Sequence, residues 1–279
     1  MIVGSSVGAT NTALGRPIGV FDSGFGGLSV LRALVDLLPH ERFAYLGDTE
    51  RYPYGPRPLS EVAGFAMEIA RFLVEEVDVK MIVVACNTAS AAALDQLVAE
   101  MPVPVLGVID PGVRAMVDAT ENGRVGVIGT TGTIASGAYQ RAASSAAPDM
   151  ELHCAACPGF VEFVERGETG SDQVHVLAER LLSPLSDVGI DTLLLACTHY
   201  PFLARTIGDV MGKDVLLVSS ADETAFEVKR VLEDSRACAP VGSDCSHMFF
   251  SSGDVEWFRE TGRRLFGPEL DKVVQVVWE

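Results

Sequence analysis

Two cysteines occupy the same kind of position in this chain. Cys86 stands in "VVACNTAS" and Cys197 in "LLLACTHY", so each thiol follows an apolar run and precedes small polar side chains. Buried cysteines usually act as small hydrophobic residues. Here each thiol is expected at the end of a strand, where the free N–H groups of a following helix favour the reactive thiolate. The pattern therefore favours paired thiol chemistry over simple packing.

Metal, redox and cofactor chemistry have weaker support. Cys154 and Cys157 form a C-x-x-C pair, but no second close pair of Cys or His completes a zinc site, and "CAAC" does not clearly open a helix as a redox motif would. Pyridoxal chemistry needs a lysine, and none of the four lysines ends a strand in a Gly/Ser/Thr-rich setting. A serine hydrolase is not indicated, because no G-x-S-x-G joins one of the predicted strands to a predicted helix; the one match, "GSSVG" at residues 4–8, lies in the N-terminal extension.

Two glycine-rich stretches, "GFGG" at 24–27 and "GTTGT" at 129–133, each follow a predicted strand. Neither matches G-x-G-x-x-G, and the chain has no G-K-[ST], so a nucleotide phosphate loop is not indicated. We interpret these glycines as residues that allow tight strand-to-helix turns. The helix N-termini that follow them could hold a carboxylate.

The overall composition limits the partners and the compartment. The formal net charge is −17 over 279 residues, which argues against binding to nucleic acid or to anionic membranes. Six cysteines in a chain of this length do not form a disulfide framework. No run approaches the ~20 apolar residues of a membrane span, and residues 1–16 lack the features of a signal peptide. We expect a cytoplasmic protein with reduced thiols and a flexible extension over residues 1–16.

The elements that must position the thiols alternate along the chain. Apolar runs without polar alternation predict buried parallel strands at residues 18–21, 43–47, 81–85, 104–109, 124–129, 191–196 and 214–219. Helical patterns lie between them at residues 27–38, 59–76, 88–101, 174–187 and 223–234. We predict an α/β fold in which mostly parallel sheets are flanked by helices.

The order of the motifs predicts two pseudo-symmetric domains. "GVFDSGFGG" and "VVACNTAS" occur early, and "GVIGTTGT" and "LLLACTHY" repeat the same strand-to-helix pattern late. Ligands of parallel sheets bind outside the carboxyl ends of the strands, so we expect the active site in a cleft between the domains. A last strand in "KVVQVVW" should return to the first sheet. The first domain is therefore predicted at residues 17–110 plus 220–279, and the second at residues 111–219.

Six stretches carry a resemblance to a known family. They are "VFDSGFGGLSVLRAL", "YLGDTERYPYGPRP", "VVACNTASAA", "GVIGTTGTIASGAYQ", "ACPGFVEFVERG" and "LLLACTHYPFL". In this order, over roughly residues 17 to 235, they resemble the bacterial glutamate racemases of the aspartate/glutamate racemase superfamily. The resemblance implies an enzyme that interconverts L- and D-glutamate without a cofactor or a metal and supplies D-glutamate for peptidoglycan. It also implies a homodimer.

The resemblance assigns roles residue by residue. Cys86 and Cys197 match two catalytic thiols, and Glu165 matches a carboxylate near the second thiol. The residues that match substrate contacts are Asp22, Ser23, Tyr54, Gly55, Asn87, Thr88, Thr198 and His199. The chain departs from the pattern at Glu162, where many relatives carry proline, and we interpret this as a loop difference.

General chemistry supports the same roles. Racemisation without a cofactor removes a proton from one face of Cα and returns one to the other face, so it needs two opposed bases. A thiolate suits this task, because its unperturbed pKa of about 8.5 is close enough to neutral for neighbours to adjust it. Asp22 beside Cys86, and His199 with Glu165 beside Cys197, are the groups expected to keep or transfer those protons. Helix N-termini and polar side chains would hold the substrate carboxylates.

Three other functions compete with this interpretation. An aspartate racemase would share the superfamily, but "THY" after Cys197 and "PYG" at 53–55 resemble the glutamate branch. A non-catalytic amino-acid-binding protein could use a similar cleft but would have no use for two matched thiols. A decarboxylase of the superfamily would keep one thiol, whereas this chain has both.

Overall fold

The computed structural model describes residues 14–243 and 245–278. Most of the predicted N-terminal extension, residues 1–13, lies outside the described residues. Residues 14–16, the part of this segment that the structure describes, contact the first half of the protein. Lys80 Nζ donates to Leu14 O at 2.8 Å, and Arg16 forms an ion pair with Asp78.

The first sheet has six parallel strands in the order β10-β9-β2-β1-β3-β4. Its strands are β1 (Ile18–Asp22), β2 (Phe43–Gly47), β3 (Met81–Val84), β4 (Val105–Gly107), β9 (Met248–Ser251) and β10 (Val273–Gln275). The second sheet has four parallel strands in the order β6-β5-β7-β8. Its strands are β5 (Arg124–Gly129), β6 (Glu151–Ala156), β7 (Thr192–Ala196) and β8 (Leu216–Ser219).

The helices lie between these strands. Those of the first part of the chain are α1 (Leu28–Leu37), α2 (Leu59–Glu75), α3 (Asn87–Glu100) and α4 (Ile109–Ala119). They are followed by α5 (Thr131–Ala135), α6 (Ala138–Ala146), α7 (Phe160–Glu165), α8 (Asp172–Asp187), α9 (Ala204–Met211), α10 (Ser220–Asp234) and α11 (Val255–Leu265). A short 3₁₀ helix, Tyr200–Leu203, precedes α9.

The two sheets repeat one topology. The strand order β2-β1-β3-β4 in the first sheet corresponds to β6-β5-β7-β8 in the second. The two central strands of each sheet, β1 with β3 and β5 with β7, are therefore equivalent. The predicted fold of two parallel-sheet α/β halves flanked by helices is confirmed.

Apolar clusters cover both faces of each sheet. In β1, Ile18 and Val20 pack into one cluster with α1 and α10, and Phe21 packs into the opposite cluster with α2 and α3. Burial on both faces explains why this strand has no polar alternation. The last strands and α10 pack with the first sheet. The division of the chain at residues 110 and 220 stays a prediction, which we adopt as a proposal on the basis of this pairing.

Among the described residues, no helix is long and apolar enough to cross a membrane.

Candidate active site

Equivalent strand ends of the two sheets converge on one cavity of about 90 Å³. Ser23 follows β1 and Cys86 follows β3, while Thr130 follows β5 and Cys197 follows β7. Nine of the eleven predicted site residues line it: Ser23, Tyr54, Gly55, Cys86, Asn87, Thr88, Cys197, Thr198 and His199. The other two, Asp22 and Glu165, lie just outside the lining. The repeated topology therefore places both thiols on one cavity.

Cys86 is the N-cap residue of α3. Its Sγ accepts a hydrogen bond from Ala89 N at 3.5 Å and lies 3.9 Å from Ser23 Oγ. Burial raises the pKa of the Cys86 thiol to about 12, and the negative charge of Asp22 adds to this effect, while the Ala89 N–H group opposes it. In this geometry the thiol therefore holds its proton at neutral pH.

Cys197 has a similar environment in the second half. Burial raises the pKa of its thiol well above the ordinary value, and the backbone N–H of His199 partly opposes the shift. The negative charges of Cys86 and Asp22 raise the Cys197 pKa further. This dependence means that forming one thiolate makes the second harder to form, as a site with one thiol and one thiolate requires.

Asp22 is the last residue of β1 and is fully buried, with 0 % exposure. Its Oδ2 accepts a hydrogen bond from Gly24 N at 2.9 Å, and its Oδ1 accepts one from Thr198 Oγ1 at 3.3 Å. Thr198 directly follows Cys197, so this carboxylate links the two halves beneath the cavity. Its charge acts on the pKa of both thiols.

His199 separates the thiol cavity from a second cavity of about 170 Å³, which Glu165 also lines. Burial lowers the pKa of His199, although the charges of Asp22 and Glu162 act in the opposite direction, so the imidazole is neutral near pH 7. Burial raises the pKa of Glu165. The Tyr52 hydroxyl partly opposes the rise in the Glu165 pKa, and His199 Nε2 has no hydrogen-bond partner within the described part of the chain. His199 Nε2 is therefore able to accept a proton or to bind water.

Polar side chains from both halves meet at the start of α3. Tyr139 Oη donates to Asn87 Oδ1 at 2.5 Å, which leaves the Asn87 amide N–H groups for a ligand. Thr88 Oγ1 lies 3.0 Å from Thr130 Oγ1 and 3.1 Å from Thr133 Oγ1. In the described residues the cavity lining contains no Lys or Arg. A bound carboxylate would be held by these hydroxyl and amide groups and by backbone N–H groups.

The sequence did not identify several lining residues: Tyr52, Thr130, Thr131, Cys157, Glu162 and Tyr200. Thr130 and Thr131 had a usable signal, because "GTTGT" follows a predicted strand just as "FDSG" does. The interpretation of Glu162 as a loop difference is wrong, because this residue lies in α7 and lines the cavity. The position of α7 depends on tertiary packing, which the local sequence does not reveal.

The chain is similar to known proteins over most of its length. The sequence profile of the family described as Asp/Glu/Hydantoin racemase matches residues 18–228. A glutamate racemase of Corynebacterium glutamicum is 51 % identical over 261 residues, which cover 93 % of this chain and 95 % of the relative. The solved structure of a Bacillus anthracis glutamate racemase isoform is 41 % identical, with a TM-score of 0.89 over 94 % of this chain and 97 % of that chain.

Two further solved structures, a glutamate racemase and an aspartate racemase, resemble this chain to different degrees. A Francisella tularensis glutamate racemase solved in complex with D-glutamate is 33 % identical, with a TM-score of 0.87 over 94 % of this chain and 98 % of that chain. A Picrophilus torridus aspartate racemase is 18 % identical, with a TM-score of 0.54 over 81 % of this chain and all of that chain, which shows a similar fold.

The fold and the cavity define a two-half α/β protein whose candidate site is lined by residues of both halves. The chain belongs to the Asp/Glu/hydantoin racemase family. It is an amino-acid racemase, that is, an isomerase, and the predicted resemblance to glutamate racemases is confirmed.

Proposed function

We propose that this protein interconverts L- and D-glutamate by a two-base mechanism in which Cys86 and Cys197 act on opposite faces of Cα. The observation that supports this most strongly is that two thiols from equivalent strand ends line one cavity. Relatives named glutamate racemase match the chain over more than nine tenths of its length. The Francisella tularensis relative binds D-glutamate in its crystal structure. Glutamate is therefore the substrate proposed for this chain.

The proton transfers follow from the surroundings of the thiols. The Cys86 thiolate removes the Cα proton of D-glutamate, and the Cys197 thiol donates its proton to the opposite face, which yields L-glutamate. The reverse reaction exchanges the two roles. Both thiols have raised pKa values, so one must first lose its proton to a neighbouring base. Asp22 serves this purpose for Cys86, and neutral His199, backed by Glu165, serves it for Cys197.

The remaining polar groups bind the substrate. Ser23, Asn87, Thr88 and Thr198 line the cavity next to the thiols, and Tyr54 and Gly55 close it from the loop after β2. They supply hydrogen bonds to the two carboxylates and the amino group of glutamate. Such preorganised donors also suit a reaction that builds negative charge next to the substrate carboxylate, because they need not reorient as the charge develops.

One experiment tests the substrate and the reaction together. The protein is incubated with L-glutamate in D₂O, and the Cα–H signal and the optical rotation are followed. We expect the Cα–H signal to decay because each turnover replaces the Cα proton with deuterium. We expect the optical rotation to decay because the product approaches equal amounts of the two enantiomers. L-Aspartate should exchange far more slowly. Exchange of aspartate but not glutamate, or release of carbon dioxide, would contradict the proposal. Tight binding of glutamate without exchange would indicate a binding protein.

The proposal includes independence from metals and from pyridoxal. Among the described residues, no group of three His, Cys, Asp or Glu side chains is arranged to hold a metal ion. Dialysis against a strong chelator and treatment with a carbonyl reagent should each leave racemisation intact. A large loss of activity in either treatment would show that the two thiols are not the complete mechanism.

We also propose that the protein works as a cytoplasmic homodimer and supplies D-glutamate for peptidoglycan synthesis. The support is the similarity to bacterial glutamate racemases over most of the chain. Depletion of the protein in its host should stop cell-wall synthesis, and added D-glutamate should restore growth. Sedimentation of the purified chain should show twice the monomer mass of 29.7 kDa.

A further inference from the structure

One buried carboxylate outside the cavity joins three segments of the first half. Asp48 follows β2 and is fully buried, with 0 % exposure. Its Oδ1 accepts hydrogen bonds from Ser252 Oγ at 2.7 Å and from Trp278 Nε1 at 2.9 Å. Its Oδ2 accepts from Arg51 Nε at 2.7 Å and from Tyr54 Oη. Four donors saturate a buried carboxylate, so Asp48 ties the loop after β2 to the C-terminal segment.

The same carboxylate fixes a residue of the proposed substrate site. Tyr54 is buried, lines the thiol cavity and donates its hydroxyl proton to Asp48. Burial and the Asp48 charge raise the pKa of Tyr54, so its hydroxyl stays protonated and keeps donating. The next residue, Gly55, accepts a hydrogen bond through its carbonyl from Gly132 N of the second half at 2.9 Å. The orientation of this loop therefore affects both the cavity wall and the contact between the halves.

Trp278 also shields the charges around Asp48. The Arg51 guanidinium carbon lies 4.4 Å from the centre of the Trp278 ring and 4.3 Å from that of Phe65. This guanidinium is thus held between two aromatic rings while it pairs with Asp48 and Glu68. The indole ring also meets Phe72 edge-on, at 6.2 Å between ring centres. The C-terminal segment thereby keeps water from the ion pair behind Tyr54, where low polarity strengthens hydrogen bonds.

We propose that Trp278 is a positioning residue of the active site, which acts through Asp48 to hold Tyr54 and Gly55 in the geometry that closes the cavity. Its partner is 230 positions away in sequence. The effect on catalysis rests on the proposed function, whereas the effect on the loop does not. Two measurements separate them: backbone hydrogen exchange of residues 49–57 without substrate, and the kinetics of glutamate racemisation.

The test variant is Trp278→Phe, which retains an aromatic ring but removes the N–H donor. We expect amides such as those of Glu50 and Arg57, which are hydrogen-bonded in this loop, to exchange at least several-fold faster. We expect kcat/KM for glutamate to fall about tenfold, mainly through KM, because one hydrogen bond to a charged group is lost. Val277→Ala is the matched control, since the preceding side chain is 76 % exposed and should change neither measurement.

A second variant checks the path of the effect. Asp48→Asn removes the negative charge that accepts the four hydrogen bonds. We expect this variant to lower kcat/KM at least as much as Trp278→Phe. The double variant should then lose little more than Asp48→Asn alone, because both changes break one link. Circular dichroism and thermal unfolding establish that each variant is folded before its kinetics are compared.

The outcomes distinguish the proposal from its alternatives. Unchanged exchange and unchanged kcat/KM in folded Trp278→Phe would overturn it. Faster exchange with unchanged kcat/KM would also overturn it, because Trp278 would then only stabilise the fold. If the unsubstituted protein does not racemise glutamate, the proposed function fails. Independently of that result, slow hydrogen exchange of residues 49–57 that persists in Trp278→Phe would overturn the proposal that Trp278 positions this loop.

Discussion

At the scale of single residues, the surroundings of both Cys86 and Cys197 strongly favour the protonated thiol over the thiolate. Burial raises both pKa values, and the charge of Asp22 raises them further. A base with a high pKa is a strong base once it is deprotonated, so this environment suits the proposed removal of the weakly acidic Cα proton. The cost is that thiolate must be formed within the site, beside Asp22 or His199.

The first prediction assigns one face of Cα to each thiol. By resemblance, Cys86 deprotonates D-glutamate and Cys197 deprotonates L-glutamate. Serine keeps the shape of the side chain but is a far weaker base. The rate of racemisation in both directions should therefore fall by about 10²- to 10⁴-fold or more in either Cys→Ser variant. Substrate analogues that eliminate a leaving group from Cβ need only one base. Cys86→Ser should lose elimination from the D-analogue and keep much of it for the L-analogue, and Cys197→Ser should show the reverse. Equal losses for both enantiomers would refute the assignment.

The second prediction concerns the pH dependence of stability. The pKa of Cys86 is about 12 in the folded protein and about 8.5 in an unfolded chain. Above pH ~8.5 the unfolded state loses a proton that the folded state keeps. The contribution of Cys86 to the free energy of unfolding is therefore fully present below pH ~8.5 and is lost as the pH rises towards 12. Urea unfolding from pH 8 to pH 10 should therefore show a smaller decline in Cys86→Ser than in the unsubstituted protein. Parallel curves would contradict the raised pKa.

At the scale of elements, the turn between β1 and α1 matters for close approach. Gly24, Gly26 and Gly27 do not need the left-handed backbone conformation, since none of them has a positive φ. Instead, a Cβ at Gly26 would lie 2.3 Å from Thr198 Oγ1 and 2.6 Å from His199 Nδ1. The absence of a side chain lets the first half approach the second beside Cys197. Gly26 therefore lies in the predicted strand-to-helix turn and also allows this close approach.

The third prediction follows from that contact. Gly26→Ala should displace Thr198 and His199 and lower kcat/KM at least tenfold, while the protein stays folded. Gly64→Ala is the matched control, because Gly64 is exposed within α2 and nothing lies within 4 Å of the added Cβ. That change should leave kinetics unaltered and stabilise the protein by about 0.5–1 kcal/mol, since alanine favours a helix. Full activity in Gly26→Ala would show that the halves need not approach this closely.

At the scale of the whole molecule, a buried ion pair gathers distant segments at the base of the first sheet. Lys80 Nζ lies 2.7 Å from Glu41 Oε2 and donates to the carbonyl oxygens of Leu14 and Ala237 at 2.8 Å each. Glu41 Oε1 in turn accepts a hydrogen bond from Ala239 N at 2.7 Å. The pair thus anchors the segment before β1 and the loop after α10, at the opposite end of β3 from Cys86.

The fourth prediction concerns the loss of this pair. Lys80→Ala leaves the Glu41 carboxylate buried without its counter-ion, which should destabilise the protein by about 3–5 kcal/mol. Lys80→Met with Glu41→Gln removes both charges and should cost clearly less. Urea denaturation at pH 7 measures both. A cost below 1 kcal/mol for Lys80→Ala would mean that water reaches the carboxylate. Kinetics of the folded variant should be unchanged, because the pair lies away from the cavity.

The sequence by itself determined most of the local elements and which residues are candidates for chemistry. The apolar runs at 43–47 and 124–129 coincide with β2 and β5, because strands buried on both faces need continuous apolar residues. The edge strand β6 was not predicted, since its residues are only partly buried and its apolar signal is weak. Of the site residues that the family resemblance implied, nine line the cavity. Ser23, Cys86 and Cys197 do so close to strand ends, where parallel sheets bind ligands.

The tertiary structure alone decided how these pieces meet. Glu162 enters the cavity lining, and Trp278 reaches Asp48, through packing between segments far apart in sequence. Glu165, which the resemblance places near Cys197, lines a second cavity together with His199. The pKa of each thiol is likewise set by burial and by Asp22. A local pattern encodes whether a segment forms a strand or a helix, whereas distances between segments depend on the packing of the whole core.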